Sequence, residues 1–398
     1  MKLLILSAKM PFPPKDGGAV ATLNIAYGLA ETGIEVTLMC LNTLKHFYHE
    51  DKLPYHLTNR IKFICVKHDT SIQYHKAFFN LIFSGKPYIA TRFISKNFKE
   101  KLSYILKNER FDIIQLEGPY MAWYIPVIKS FSTAKISLRA HNIESEIWER
   151  KLLNETNVFK KLYFLVLAGR VKKFEEEIIS KIDILVPVTK EVESYILSLK
   201  NSISSLVSPT GLDIENYPVS IPRDPPGLFY IGSLEWIPNQ EGLCWFLEKV
   251  WKNNFDNSLL HVAGRRAPDW LKEKLQNCPG IIFHGEVDNA IGFMSRYDAL
   301  ICPLLSGSGI RIKILEAMLL GKVVITSPVG AEGIPVKDGE NILLANNDKE
   351  FVLIIKSLLE EPGSFIQIGT NARKLISENF NNLALCKKLN GFYLRNLK

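Results

Sequence analysis

Short apolar runs alternate with longer helical patterns along this chain, and the alternation occurs twice. In the first half the apolar runs lie at 3–6, 35–41, 62–66, 112–115, 136–138 and 182–188. In the second half they lie at 228–231, 258–262, 281–284, 299–305 and 323–327. Strands that are joined by helices form parallel sheets with helices on both faces. The sequence therefore predicts an α/β fold of two doubly wound, Rossmann-like domains.

A proline-dense stretch, which cannot remain helical, separates the two halves. At 398 residues the chain is also too long for one ordinary core. We predict an N-terminal domain at 1–208, a linker at 209–227, a C-terminal domain at 228–380, and a helix at 381–398 that packs back on the N-terminal domain. Ligands of such sheets bind beyond the carboxyl ends of the strands, so we predict that the domains face each other across a cleft.

The spacing of the cysteines and the lengths of the apolar runs predict the cellular location of the protein. The six cysteines are scattered without a C-x-x-C pair, which predicts free thiols in a reducing cytosol and neither a zinc site nor a disulfide framework. The chain starts with an apolar run too short for a signal peptide, and we interpret it as a first strand. No apolar run reaches the length of a membrane span. We predict a cytoplasmic protein.

The formal net charge of +8 suits an anionic ligand or an anionic surface. Between 76 and 107 one acid, Glu100, accompanies seven cations, which are Lys76, Lys86, Arg92, Lys96, Lys99, Lys101 and Lys107. The aromatic residues interleaved with them include Phe78, Phe79, Phe83, Phe93, Phe98 and Tyr104. We predict peripheral contact of this segment with an anionic membrane. The alternative is a solvated helical face with its aromatic side chains turned into the core. No nucleic-acid-binding motif is present, so we predict no nucleic-acid partner.

A glycine-rich turn at 306–309 leads into a helix predicted to start near residue 310. Glycines allow the backbone to approach a ligand closely, and the start of a helix attracts anions. Two cations in the first turn add to this attraction. The sequence predicts a diphosphate site here, with Arg311 and Lys313 as catalytic cations and with donor-binding residues Gly307, Ser308, Gly309 and Glu316.

Lys313 and Glu316 lie about 60° apart on a helical wheel and therefore face one region. The carboxylate of Glu316 is suited to accept hydrogen bonds from the vicinal hydroxyls of a ribose. The alternative is a surface Lys–Glu pair, which would contribute roughly 0.2–0.5 kcal/mol.

Further candidates follow the predicted strands. Gly17 and Gly18 come before a helix that starts at residue 19, where free backbone N–H groups bind an anion or an incoming oxygen. The order G-x-G-x-x-G is missing, which disfavours a nicotinamide or flavin cofactor. His141 follows the strand 136–138 and is the first candidate for a catalytic group, because a neutral imidazole can bind a sugar hydroxyl or handle a proton. The alternative is a structural loop histidine.

Two loops of the second half supply polar groups. The loop after 228–231 contains Ser233 and Asn239, which we predict to bind phosphate or sugar. The segment 262–266 ends a strand with a glycine and two arginines, and we predict phosphate contact for Arg265.

In this order, the motifs resemble the family 4 glycosyltransferases of GT-B fold, especially bacterial members that act in surface polysaccharide assembly. The resemblance covers nearly the whole chain and rests on Gly17, Gly18, His141, 232–239, 262–265, the helix through 316–318, 327–330 and 338–341. It implies that the C-terminal domain binds a UDP- or GDP-linked sugar and the N-terminal domain a saccharide or lipid-linked acceptor. It also implies retention of the anomeric configuration and no divalent metal.

The chain departs from the family pattern at two places. Glu316 matches the second glutamate of the family's paired-glutamate motif, but Ser308 occupies the position of the first. The Arg and Lys that many members carry after the first C-terminal strand are missing from 232–242, and we expect Arg311 and Lys313 to replace them. The predicted activity is glycosyl transfer. The alternatives are a sugar-nucleotide epimerase of the same fold and a non-catalytic nucleotide-sugar-binding protein.

Overall fold

The computed structural model describes residues 1–219, 225–307 and 309–397, and it divides into two compact units. The first unit is Met1–Gly211 together with the C-terminal segment from Asn382, and the second is Leu212–Asn381. The predicted linker began at 209, whereas the second unit begins at Leu212, whose backbone N–H donates to the carbonyl oxygen of Phe380 at 2.8 Å. Residues 220–224 of that predicted linker lie outside the described residues.

The first unit is built on a parallel sheet. Its strands are β1 (Lys2–Ser7), β2 (Glu35–Asn42), β3 (Ile61–Lys67), β4 (Ile113–Glu117), β5 (Lys135–Ala140), β6 (Ile184–Pro187) and β7 (Ser204–Ser205). The strand order is β3-β2-β1-β4-β5-β6-β7, with parallel pairing throughout. Its helices, in chain order, are α1 (Gly17–Glu31), α2 (Tyr55–Thr58), α3 (Tyr74–Phe83), α4 (Tyr88–Thr91), α5 (Lys96–Asn108), α6 (Ile125–Phe131), α7 (Glu144–Asn154), α8 (Val158–Lys181) and α9 (Lys190–Leu199).

The second unit repeats this plan. Its strands are β8 (Leu228–Ile231), β9 (Leu260–Ala263), β10 (Ile281–Gly285), β11 (Ala299–Cys302), β12 (Val323–Thr326) and β13 (Leu343–Leu344). They pair in parallel in the order β10-β9-β8-β11-β12-β13. Its helices are α10 (Ile237–Trp245), α11 (Asp269–Gln276), α12 (Ala290–Met294), α13 (Ile312–Leu319), α14 (Asp348–Glu360) and α15 (Ile366–Asn379). In both sheets the order reverses beside the first strand, as in doubly wound folds. The predicted α/β class with two parallel sheets is confirmed.

Strand β1 shows why these runs form central strands. Successive side chains of a strand point to opposite faces. Leu4 and Leu6 accordingly belong to one apolar core, and Leu3 and Ile5 to another on the other side of the sheet. All four are fully buried. Helices cover both faces, so the strand needs an unbroken apolar run, and only the first residue, Lys2, is exposed.

The last helix, α16 (Asn382–Leu397), belongs to the first unit. Its side chains Cys386, Leu389 and Tyr393 lie in the same core as Leu3 and Ile5. It crosses α1 so closely that a Cβ on Gly28 would lie 2.5 Å from Cys386 Sγ. The last residues of the chain therefore complete the core that the first strand begins.

Two predicted boundaries around 300–310 were wrong. The strand expected at 299–305 ends at Cys302, because Pro303 has no N–H for the ladder and the chain turns there. The helix expected from residue 310 begins at Ile312. Gly309 has φ 81° and Arg311 lies in an extended conformation as the residue before the helix, so the glycine turn reaches further along the chain than predicted.

Two further properties of the described residues concern membranes and metal ions. Among the helices at 1–219, 225–307 and 309–397, none combines the length and apolarity that a bilayer span requires. Within the same ranges, no group of three or more His, Cys, Asp or Glu side chains is arranged to hold a metal ion.

Candidate functional site

Asn239 joins two loops of the second unit. It lies in the first turn of α10 and is 4% exposed. Its Nδ2 donates to the carbonyl oxygen of Ser233 at 2.9 Å, and its Oδ1 accepts from Lys313 Nζ at 3.0 Å. The loop after β8 and the start of α13 are thereby fixed beside the carboxyl ends of β8 and β11. These strands are neighbours at the point where the sheet order reverses, which is the usual ligand site of such a sheet.

Lys313 contacts a neutral amide and an aromatic ring. Besides its bond to Asn239, its ammonium lies 4.7 Å from the ring centroid of the buried Tyr230. Gly232 makes room for it, because a Cβ at that position would approach Lys313 Nζ to 3.1 Å. Burial lowers the pKa of Lys313, and the nearby guanidinium of Arg311 lowers it further against an opposing effect of Cys302. A ligand anion would favour the charged form of this ammonium.

Arg311 is buried, with 6% exposure, at the residue before α13. Its Nη1 donates to the carbonyl oxygen of Gly309, and its guanidinium lies 5.6 Å from the ring centroid of Trp236. Gly307 has φ 118°, and a Cβ there would come within 3.0 Å of both Arg311 Nη2 and Trp236 Cη2. Gly307 is thus needed both for its backbone conformation and for the packing of Arg311. Ser308 lies outside the described residues.

Glu316 lies one turn further along α13, and Tyr217 Oη donates to its Oε1 at 3.0 Å. Burial raises the pKa of Glu316 to about 7, although the hydrogen bond from Tyr217 opposes that shift. Burial also raises the pKa of Tyr217, with a further contribution from the neighbouring carboxylate. Lys313 and Glu316 therefore contact different neutral side chains, Asn239 and Tyr217.

Tyr217 was missed as a site residue, because it precedes Pro218 in the stretch interpreted as a linker. It is 6% exposed, and its carbonyl oxygen accepts from Arg373 Nη1 at 2.8 Å. A buried tyrosine normally has a partner for its hydroxyl. The sequence offered one indication that Tyr217 is buried, namely an aromatic residue within a proline-rich connection.

Arg265 and Arg266 share one carboxylate. The Nη2 of Arg265 lies 3.7 Å from Glu235 Oε1, and the Nη1 of Arg266 lies 3.4 Å from Glu235 Oε2. Ser233 Oγ also donates to Glu235 Oε1 at 3.3 Å. The predicted phosphate ligands Ser233 and Arg265 are thus joined through an acid that the sequence interpretation did not single out.

His141 follows β5 in the first unit, and its Nε2 lies 3.0 Å from Glu117 Oε2. Glu117 ends β4 and is buried, and the fully buried Arg139 lies 3.4 Å from the same oxygen. Burial lowers the pKa of His141 against the opposing hydrogen bond to Glu117. Burial would raise the pKa of Glu117, but Arg139 and then His141 outweigh it, so that this pKa is lowered.

Glu117 was also missed. The ionised carboxylate accepts a hydrogen bond from the Nε2–H group of a neutral His141. In this tautomer Nδ1 carries no proton and is the acceptor nitrogen. Thr22 Oγ1 adds a donor to the same carboxylate at 3.3 Å, and Gln115 Nε2 donates to Oε1. The sequence did contain one indication of a site residue at Glu117. It is an acid at the end of an apolar run, and this run precedes the strand that leads to His141.

Gly17 and Gly18 are the first two residues of α1, so the helix begins two residues before the predicted start at residue 19. Asp16 precedes the helix and accepts the backbone N–H of Ala19 at 2.9 Å, while Lys9 Nζ donates to the same carboxylate oxygen. A Cβ on Gly18 would lie 2.9 Å from Lys9 Nζ, so a larger residue would displace this lysine. Burial would raise the pKa of Asp16, but Lys9 outweighs it and the pKa falls to about 2.

The structure therefore groups the predicted residues by unit. Around the start of α13 lie Asn239, Gly307, Gly309, Arg311, Lys313 and Glu316, with Ser233 and Arg265 on the adjoining loops. Gly17, Gly18 and His141 belong to the first unit.

Comparison with known proteins gives this arrangement a family context. Residues 225–361 match the family model described as glycosyl transferases group 1. The chain is 26% identical over 400 residues to an uncharacterized 44.6 kDa protein in the cps region of Klebsiella pneumoniae, a match that covers 95% of this chain and 96% of that protein. It is 30% identical over 224 residues to an uncharacterized glycosyltransferase of Methanocaldococcus jannaschii, covering 51% of this chain and 56% of the relative.

Solved structures share the fold over the whole chain. HepE of Anabaena in complex with UDP superposes with a TM-score of 0.67 at 14% identity, covering 98% of this chain and 99% of that one. Sucrose-phosphate synthase of Thermosynechococcus elongatus gives a TM-score of 0.73 at 16% identity, with 99% of each chain covered. The predicted GT-B type of fold is confirmed. Residues 225–361 are thus similar to the group 1 glycosyl transferases, and the whole chain has the GT-B fold.

Proposed function

We propose that this protein transfers a sugar from a nucleoside diphosphate sugar to a saccharide or lipid-linked acceptor, with retention, in cell-surface polysaccharide or glycolipid synthesis. The observation that carries the proposal is the start of α13, where Lys313 and Arg311 lie beside a glycine turn and Glu316 follows one turn later. These residues belong to the group 1 glycosyl transferase domain.

The diphosphate of the donor binds at Lys313 and Arg311 in this proposal. The N-terminus of α13 adds backbone donors and a positive dipole. Glu316 accepts hydrogen bonds from the ribose hydroxyls, and Tyr217 holds its carboxylate in place. A uridine donor is supported by HepE, which shares the fold and has been solved with UDP and with UDP-glucose. GDP remains the second candidate nucleotide.

Transfer breaks the bond between the anomeric carbon and the diphosphate. Negative charge grows on the leaving diphosphate while the sugar becomes positively charged. Fixed cations at the diphosphate therefore stabilise the transition state more than the bound substrate. Side-chain cations supply this charge in our proposal, so no divalent metal takes part.

His141 acts on the acceptor side or at a sugar hydroxyl. Its lowered pKa favours the neutral ring at neutral pH, and Glu117 fixes the tautomer with Nδ1 as acceptor. Such a ring accepts a hydroxyl proton or a hydrogen bond. Glu117 is a positioning residue in this scheme, because it acts through His141.

The assignment to family 4 and to surface polysaccharide assembly is supported by the relative in the cps region of Klebsiella pneumoniae. A lipid-linked acceptor would place the enzyme in the cytoplasm at the inner face of the membrane. Helix α3, in the first part of the basic, aromatic segment at 76–107, supports such peripheral contact.

The test has two stages. A panel of UDP- and GDP-linked sugars is first screened for ligand-induced thermal stabilisation, since binding raises stability in proportion to ln(1 + [L]/Kd). The stabilising donor is then incubated with candidate saccharide and lipid-linked acceptors. We expect acceptor-dependent release of the nucleotide. Conversion of the donor without any acceptor would instead identify an epimerase, and binding without turnover would identify a non-catalytic binding protein.

A further inference from the structure

Helix α3 and the first half of α8 expose large apolar side chains to solvent. We call this set the α3–α8 surface, and it consists of Phe78, Phe79, Ile82, Phe83, Val158, Phe159, Leu162 and Leu165. Their exposed fractions range from 55% for Ile82 to 86% for Phe159. Single exposed apolar residues are common on protein surfaces, but groups of this kind mark interaction sites.

The two helices lie side by side. Arg170 of α8 donates through Nη1 to the carbonyl oxygen of Asn80 at 3.2 Å and through Nη2 to that of Leu81 at 2.8 Å. Ala77 and Leu81 of α3 line the same small cavity as Tyr163 and Leu167 of α8. The exposed side chains of α3 therefore belong to the face that this contact leaves uncovered.

Helix α8 changes its surroundings along its length. Its second half buries Leu167, Val171, Phe174 and Ile178, as a helix that packs on a core should. In its first half, Val158, Leu162 and Leu165 recur at spacings of four and three, so they share one face, and that face is exposed. Stability of the unit does not explain apolar side chains at these positions.

Charge indicates what covers the surface. No acid occurs at 70–99, which contains Lys76, Lys86, Arg92, Lys96 and Lys99. No acid occurs at 156–174, which contains Lys160, Lys161, Arg170, Lys172 and Lys173. Exposed aromatic and aliphatic side chains flanked by cations are complementary to the interface of an anionic bilayer, where rings enter the acyl boundary and ammonium groups meet lipid phosphates.

The α3–α8 surface coincides only in part with the segment 76–107, which the sequence analysis predicted to contact a membrane. Helix α5, which forms the second part of 76–107, buries Phe98, Leu102, Ile105 and Leu106 in the core. Tyr104 is the one exposed aromatic side chain of this helix, so α5 lacks an exposed apolar face. The first part, α3, keeps its aromatic side chains exposed. Residues 158–165 complete the apolar set, although they lie far away in the sequence.

We propose that the α3–α8 surface docks on an anionic lipid bilayer. Phe79, Phe83, Phe159 and Leu162 enter the interface, and Lys160 and Lys161 bind the headgroups. This inference does not depend on sugar transfer, because it rests on exposure and charge in the first unit alone.

The test is sedimentation of the full chain with vesicles of phosphatidylethanolamine and phosphatidylglycerol in equal parts, compared with vesicles of pure phosphatidylcholine. We expect binding to the anionic vesicles that weakens as salt is added. The variant Phe83→Ser/Phe159→Ser should lower the partition coefficient by at least about tenfold. Both side chains are more than three-quarters exposed, at 79% and 86%, so the variant should fold normally.

Lys160→Gln/Lys161→Gln tests the charge. Each lysine near an anionic surface contributes about fivefold to binding, so removal of both charges should weaken binding to anionic vesicles about twenty-five-fold. The matched controls are Leu259→Ser/Leu353→Ser and Lys349→Gln/Lys356→Gln, which change exposed residues of the second unit and should bind like the unaltered protein.

Three outcomes would overturn the proposal. The unaltered chain could remain in the supernatant with anionic vesicles, or the two surface variants could bind as well as their controls. Light scattering without lipid could also reveal a dimer that Phe83→Ser/Phe159→Ser dissociates, which would identify the surface as an interface between copies of the chain.

Discussion

The two units hold their candidate site residues in opposite electrostatic states. In the first unit the Glu117 carboxylate has Arg139 and His141 as partners, so its charge is already balanced. In the second unit Lys313 contacts an amide oxygen and an aromatic ring, and Glu316 contacts a phenol. A buried, balanced network is complete without a ligand. Charged groups among neutral partners gain most when a ligand supplies the missing charge or hydroxyls. The difference agrees with our proposal that the second unit binds the donor, whereas the charges of the first unit hold one imidazole in place.

The comparison predicts the largest loss of stability at Glu117. Glu117→Ala would leave Arg139 buried without its carboxylate, and breaking such a pair costs about 3–5 kcal/mol of unfolding free energy. Urea unfolding measures the change. Glu109→Ala, which removes an exposed partner of Lys62, is the control and should change the free energy of unfolding by about 0–1 kcal/mol. Equal effects of both variants would contradict a balanced network.

The largest loss of activity is expected at Lys313. Lys313→Ala should raise the activation free energy by about 2–4 kcal/mol, because one cation at the leaving diphosphate is lost. Its midpoint of thermal unfolding without ligand should stay near that of the unaltered protein, because the lost hydrogen bond to Asn239 is offset by removal of a charge that burial disfavours. Arg311→Ala should lower both turnover and stability, since this side chain also packs on Trp236 and bonds Gly309. Turnover near normal in both variants would reject the assignment.

A smaller, pH-dependent effect is expected at Glu316. Its pKa is about 7 in the folded state and ordinarily near 4.5, so the folded state binds the proton more tightly. The stabilising contribution is therefore complete below pH 4.5 and is lost as pH rises through 7. Above pH 7, Glu316→Gln should be more stable than the unaltered protein by roughly 1–3 kcal/mol. Unfolding free energies measured across this range provide the check.

The affinity for the ligand should rise with pH, whereas the contribution of Glu316 to folding stability falls. Ribose hydroxyls donate to the ionised carboxylate, so the affinity for a UDP-linked sugar, whose diphosphate does not titrate in this range, should rise between pH 6 and 8. Binding of this ligand near pH 6 should release a proton. Calorimetry in buffers of different ionisation enthalpy detects that proton. Glu316→Gln should bind weakly and independently of pH over this range, and an unchanged pH dependence in this variant would argue against contact with the ribose.

The smallest effect is expected at the outer arginine. Arg266 is 45% exposed at its side chain and shares Glu235 with Arg265. Arg266→Ala should change stability by less than about 1 kcal/mol, because exposed pairs contribute little. Arg265→Ala should weaken nucleotide binding more strongly, since its side chain is only 12% exposed. Equal nucleotide affinities of the two variants would remove Arg265 from the donor site.

Much of the fold could be predicted because it depends on local pattern. The apolar runs at 3–6 and 228–231 lie inside β1 and form β8, since a strand that is covered on both faces must be apolar throughout. The start of α13 was misjudged by two residues, because the conformation at Gly309 follows from packing around Arg311 and not from local propensity. Arg311, Lys313 and Glu316 were found in the sequence because they lie close together in it.

Glu117 and Tyr217 could not be found in the same way. Glu117 meets His141 across 24 residues, and Tyr217 meets Glu316 across 99, so no spacing along the chain brings either pair together. The sequence by itself determined the two parallel sheets and the cationic glycine turn, because these depend on the order of apolar and polar residues. Only the tertiary structure decided which neighbours hold the imidazole and the carboxylate and which aromatic side chains stay exposed, because pKa values and exposure depend on contacts between distant segments.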